Sequence, residues 1–236
     1  MSDGTFWLAA FALYLLDNVK LIDTRELVLR ETLLLRWRVE LMAVPFLVRG
    51  RCVVLLNPLT PFCMVFKMKW MESGATGYHT LRSDRRLTLS FQKRAIALRF
   101  VTLCSFATFF GLGPILTYKI GLGATLLLLA PVHALLITMV ATLAFFDRLG
   151  VPNKRMLFLI LECAFCPMYL PALLRRISWY TGLSADGVAF ARRYLLPNDR
   201  LELAFAVKAR SEEMIEDCGG EEERAEILHY VRWATA

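Results

Sequence analysis

Two apolar stretches dominate the pattern of hydrophobic and polar positions. Residues 100–118 are nineteen positions without a charge, and residues 122–146 are twenty-five more, with Lys119, Ile120 and Gly121 between them. At 1.5 Å rise per residue each reaches roughly 30 Å as a helix, the thickness of a hydrocarbon core. Two such runs with so short a connector predict an antiparallel transmembrane hairpin over residues 96–146. Lys93, Arg94 and Arg99 mark its cytosolic end, where a long basic side chain can snorkel to the headgroups. Gly111-Leu112-Gly113-Pro114 predicts a kink in the first run, because proline removes a backbone bond.

Residues 6–16 form a shorter apolar run between Asp3 and Asp17. It has no basic n-region and no small-residue cleavage site, so a cleaved signal peptide is not expected. It reads as a short transmembrane anchor over residues 4–19. The alternative is an amphipathic helix lying in the interface.

The pattern changes between these runs. Arg36-Trp37-Arg38-Val39-Glu40-Leu41 and Phe66-Lys67-Met68-Lys69-Trp70 alternate between charged and apolar. That period of two predicts strands with one buried and one wet face. Arg49-Gly50-Arg51 lies between two apolar runs and predicts a hairpin turn. Residues 73–78, with two glycines, read as loop, and Leu87-Thr88-Leu89-Ser90-Phe91 as one more strand, the alternative being that Ser90 caps a helix running from Phe91 into the membrane. Residues 25–91 are thus expected to be a cytosolic loop holding a small antiparallel sheet.

Residues 156–174 are apolar except for Glu162, which is expected at the cytosolic margin, meeting a basic residue or backbone donors. Pro167 and Pro171 break the second half, and Arg175-Arg176 follow at once. The segment reads as a re-entrant or interfacial helical element, with a full crossing as the alternative. Beyond it, residues 184–236 read as a cytosolic helical tail. In that tail Pro197-Asn198-Asp199 breaks the chain, Ser211 caps a helix, and Gly219-Gly220 precedes a last helix. The expected fold class is therefore an α-helical membrane protein. It has a transmembrane hairpin, a short N-terminal span and a small antiparallel β element in a cytosolic loop. Three crossings would put the N-terminus outside and residues 19–99 and 147–236 in the cytosol.

Composition agrees with a membrane. The 236 residues are 57% hydrophobic, and the formal net charge is +7; mean hydropathy is +0.49. Charge is uneven, with fifteen Lys/Arg against six Asp/Glu over residues 19–99 and four against nine from residue 201 onward. Arg36, Arg38, Lys67 and Lys69 share the polar faces of the expected strands. They read as a solvated face or as contacts for anionic lipid headgroups. Nucleic acid is not an expected partner, because the basic residues flank apolar spans.

Candidate chemistry is sparse. There is no Gly-rich phosphate loop, no Gly-x-Ser-x-Gly elbow and no paired-His metalloprotease motif. Six Cys in a chain of this length make no disulfide framework. His133 lies in the second apolar run beside Pro131, and Glu162, Cys163 and Cys166 fall in one short stretch. Ionisable groups at membrane depth are costly and often functional, and two thiols three residues apart can form a redox pair or hold a soft metal. The plainer reading makes His133 a helix-packing residue and the Cys small hydrophobes. No cofactor is implied. Two functions remain: a non-catalytic component or scaffold of a membrane assembly, with a membrane-protein partner, or a transport, redox or metal protein using His133, Glu162, Cys163 and Cys166.

The layout carries a resemblance. Its parts are Tyr14-Leu15-Leu16-Asp17, a strand block ending Leu56-Asn57-Pro58-Leu59-Thr60-Pro61, a hairpin led by residues 94–99, and Cys166-Pro167 with Pro171-Ala172 before Arg175-Arg176. Over residues 6–200 this order resembles a family of bacterial multi-pass inner-membrane proteins. The resemblance implies an inner (plasma) membrane location, no particular activity and no functional residue.

Overall fold

In a computed structural model the chain is described over residues 3–41, 46–71, 78–146, 153–217 and 219–235. The elements begin with α1 (Asp3–Asp17), β1 (Val19–Ile22), β2 (Glu26–Glu31), β3 (Trp37–Glu40), β4 (Leu47–Val48), β5 (Arg51–Leu55) and β6 (Val65–Lys69). Then come α2 (Tyr78–Arg94), α3 (Ile96–Phe106), a π turn (Ala107–Leu112), α4 (Gly113–Ile120), α5 (Leu122–Phe146) and α6 (Asn153–Phe165). A 3-10 turn (Pro167–Tyr169), α7 (Leu173–Thr181), α8 (Gly187–Tyr194), α9 (Pro197–Asp217) and α10 (Glu221–Thr235) complete it. The chain divides into two compact units, each built from separate pieces of sequence.

The first unit takes Met1–Lys20, Leu55–Met64 and Ser90–Thr181. Ala10, Phe109, Leu129 and Met168 form a buried cluster there, with Trp7, Phe110, Leu116 and Cys166 packed against it. The expected kink at Gly113 is the π turn: Gly113 N–H bonds the Thr108 carbonyl, five residues back. Pro114 follows with no N–H to give. A Cβ at position 113 would overlap the Trp7 ring. Trp7 Nε1 also donates to Thr117 Oγ1 at 2.9 Å, so the missing side chain lets an indole lie against the helix.

The second unit takes Leu21–Val54, Val65–Leu89 and Gly182–Ala236. Its centre is an antiparallel sheet of order β3-β2-β6, in which Leu29 faces both Val39 and Phe66. A second sheet has the order β1-β5-β4. Within the alternating runs, residues 37–40 and 66–69 are strand, as expected. The turn between β4 and β5 places Arg49 at φ +53° and Gly50 at φ +75°. Two positive φ values are what a two-residue hairpin loop matched to strand twist requires. Helices complete this unit. Asp186 caps α8 by accepting from Val188 N at 3.0 Å and Ala189 N at 2.9 Å. At Gly187 a Cβ would sit 2.6 Å from the Leu27 side chain, so only glycine allows α8 this close to β2.

These facts correct the expected fold class. The chain is not an α-helical membrane protein with a minor β insert. It is a mixed α/β fold in which the strands organise a whole unit, and the segment expected to be a tail belongs to it. Leu183 N donates to the Lys67 carbonyl at 3.1 Å, and Arg38 pairs with Glu202. Among the described residues two helical stretches are long and apolar enough to cross a bilayer, Ile96–Ile120 and Leu122–Ala144, rather than three. The N-terminal span is not among them, because α1 ends after 15 residues, roughly 22 Å.

Local expectations change too. Residues 87–91 are not a strand but part of α2. Leu81, Asp84, Thr88 and Phe91 are its buried positions, spaced three and four apart as on one helix face. Pro197 begins α9 instead of breaking it, as the first helical position permits. Ser211 lies inside α9 and returns its hydroxyl to the Val207 carbonyl at 2.7 Å. The loop expected over residues 73–78 lies, up to residue 77, outside the described residues.

Candidate functional site

Arg175 and Arg176 of α7 gather the first unit's polar side chains. Neighbours on a helix point about 100° apart, so the two guanidinium groups serve different partners. Arg175, 2% exposed, donates to Asn18 Oδ1, to the Asn57 carbonyl and to Thr60 Oγ1, the last at 3.1 Å. The loop it grips is already shaped by Asn57, whose Oδ1 accepts from Leu59 N at 3.0 Å. Asn18 closes the end of α1 by donating to the Tyr14 carbonyl at 2.7 Å. The Tyr14 hydroxyl crosses to the Pro58 carbonyl at 2.6 Å.

Arg176 takes the acids. It lies 2.7 Å from Glu162 and 3.4 Å from Asp17, over the Tyr169 ring at 4.6 Å from its centroid. Lys20 also reaches Asp17 at 3.2 Å. Burial disfavours the Arg176 charge, but Asp17 and then Glu162 outweigh it, and its pKa is raised. Burial likewise raises the Tyr14 phenol, against the pull of Arg175. The cluster ties α1, the 55–64 segment, α6 and α7 together. It pairs no nucleophile with a base. It is a clamp.

The residues singled out by sequence fall in different places. Glu162 belongs to the Arg176 pair. His133 packs edge-on to Phe109, with centroids 5.6 Å apart, in a cleft of about 470 Å³ with Leu129, Ile137 and Ala164 among its walls. Cys163 is fully buried, and burial pushes its thiol up to about 12, so it carries no thiolate at neutral pH. Cys166 is half-buried against the Phe109 cluster. Among the described residues no three His, Cys, Asp or Glu are placed to hold a metal ion. On the sheet of the second unit, Arg38 pairs with Glu202 and Lys67 with Glu26 at 2.7 Å. Arg36 and Lys69 are exposed.

Sequence reasoning did not assign the clamp as a site. Its signal was present in two carboxylates, Asp17 and Glu162, at the margins of apolar runs, and in two adjacent arginines able to meet them. No family model matches the chain, and no curated protein or solved structure does either.

Proposed function

We propose that the protein is a non-catalytic component of a membrane assembly, held in a bacterial inner membrane by Ile96–Ile120 and Leu122–Ala144. One observation carries this reading. Only 33% of an 18-residue apolar segment of Ile96–Ile120, and 17% of one in Leu122–Ala144, is buried. A helix of such composition at the core of a water-soluble domain would be covered by its own chain. Here Phe100, Leu103, Ile115, Leu127, Leu128 and Leu135 stay exposed. A patch of that size needs lipid or a partner against it. Two crossings put Lys93-Arg94 and Lys154-Arg155 on the same side, which these basic residues make the cytosolic one. The non-catalytic part rests on the clamp, whose groups neutralise one another. The transport or redox alternative is less well supported, because Glu162 is engaged by Arg176 and the Cys163 thiol is protonated.

Alkaline carbonate washing of native membranes, followed by native electrophoresis in mild detergent, tests both parts. The chain should stay with the membrane and migrate well above its monomer mass. Release by carbonate overturns the membrane assignment, and a bare monomer overturns the assembly.

A further inference from the structure

We infer that a cleft at the start of α6 binds the phosphate headgroup of an anionic phospholipid; this rests on the membrane reading above. The cleft has a volume of about 340 Å³ and is lined by Lys154, Arg155, Phe158, Leu159 and Tyr180. Several cations elsewhere in the molecule are held in ion pairs. Arg30, Arg38, Lys67, Arg176 and Arg210 each meet a carboxylate. Lys154 and Arg155 are exposed, and no ion pair engages either among the described residues.

The surroundings say which anion fits. The Arg155 guanidinium lies 5.9 Å from the centroid of the Tyr180 ring, which limits where its fork can point. A guanidinium fork matches two phosphate oxygens, and an ammonium beside it adds a mobile point charge. Phe158 is 62% exposed and Leu159 is buried, giving the cleft an apolar wall and floor. A free anion has no use for that wall, whereas the first carbons of an acyl chain or glycerol do. The volume suits a headgroup and its nearest carbons, not a whole lipid. Anionic headgroups were first expected at Arg36, Arg38, Lys67 and Lys69. Arg38 and Lys67 already hold carboxylates, whereas Lys154 and Arg155 meet none among the described residues and line a cleft.

Native mass spectrometry of the full chain in neutral detergent, titrated with phosphatidylglycerol or phosphatidylcholine, tests the inference. Phosphatidylglycerol should bind at least tenfold more tightly. The double variant Lys154→Gln/Arg155→Gln should weaken it about thirtyfold, from the usual contribution of two basic residues at an anionic surface. Arg155→Lys, which keeps the charge, should retain most of the binding. Equal affinity for the two lipids, or a double variant that binds like the parent, overturns the site. Displacement of the lipid by an equal concentration of inorganic phosphate overturns the lipid as ligand and assigns the cleft to free phosphate. Detergent binding reads the headgroup site and carbonate washing reads membrane embedding, so either can fail without the other.

Discussion

β2 and α5 are both rich in leucine and valine, and the molecule treats them in opposite ways. Leu27, Val28 and Leu29 of β2 are 0–1% exposed, whereas Leu127 and Leu135 of α5 are 78% and 63% exposed. The strand is covered by its own unit, through Val39, Phe66 and the close approach of Gly187. The helix keeps much of its apolar surface uncovered by the described residues of its own unit. Apolar content alone therefore does not say what covers a segment. In β2 the charges flank the apolar centre, and Arg30 meets Glu40 and Glu26 meets Lys67, each at 2.7 Å. In α5 there is no charge to satisfy, and burial is left to the surroundings.

Leu29→Asp is the sharpest way to break this comparison on the strand side. It would put a carboxylate on the fully buried face shared with Val39 and Phe66. Burying an unpaired charge belongs to the exceptional class of substitutions, so a loss above about 4 kcal/mol is expected. Circular dichroism melting and limited proteolysis should show the second unit unfolded at 25 °C. A variant that melts with the parent would mean that β2 is not covered as described.

The clamp should give the next largest effect. Arg176→Met leaves Asp17 and Glu162 without their shared cation, and breaking a buried pair in this way costs about 3–5 kcal/mol. The partial exposure of Glu162, 28% for its side chain, places the loss at the lower end. Adding Asp17→Asn and Glu162→Gln should restore most of it, and Glu162→Gln alone should cost far less. Thermal melting of the parent and the three variants checks this. If the triple variant is no better than Arg176→Met, repulsion between stranded carboxylates is not the cause.

Much of the strand side was legible, because alternation is a local signal. Residues 36–41 and 66–70 declare it, and Arg49-Gly50 declares the turn that joins β4 to β5. Leu87-Thr88-Leu89-Ser90-Phe91 alternates as well, yet it is helix. The deciding pattern there is Leu81, Asp84, Thr88 and Phe91, which extends past the five-residue window and includes polar members. The mixed α/β class was not legible, because it depends on contacts such as Leu183 with Lys67 that join distant segments. A basic partner for Glu162 is expected from the sequence, and Arg176 is that partner, but the rest of the clamp was hidden for the same reason. Arg175-Arg176 read naturally as charges flanking an apolar run, and nothing local links them to Asn18, Asn57 or Thr60.

On the helix side, Leu127→Lys and Leu135→Lys test what covers α5. In a bilayer each charge near the middle of a span costs about 2.5–3.5 kcal/mol. The double variant should shift the chain from the carbonate-resistant to the soluble or aggregated fraction. Were α5 facing water, the same changes would leave fractionation unchanged and improve solubility. Either result sharpens the contrast with β2, where a charge should destroy the fold rather than relocate the chain.

The smallest effect lies in the second unit, where even buried polar groups are met internally. The Tyr230 hydroxyl lies 3.0 Å from both oxygens of Asp186, and its ring meets Trp70 edge-on at 5.9 Å between centroids. Burial, and then the Asp186 charge, raise the phenol pKa well above its ordinary value of 10. The folded state thus keeps a proton that the unfolded chain releases near pH 10. The stability this group contributes is fully present below pH 10 and falls as the pH rises above it. Tyr230→Phe should cost about 1 kcal/mol at pH 7, the usual size of a lost hydrogen bond. Asp186 would still hold Val188 and Ala189 through their N–H groups, which keeps the loss small. Denaturant midpoints at pH 8 and pH 11 should then fall less for the variant than for the parent, narrowing the gap between them. A gap unchanged between the two pH values would mean that the Tyr230 proton is held no more tightly in the fold than in the unfolded chain.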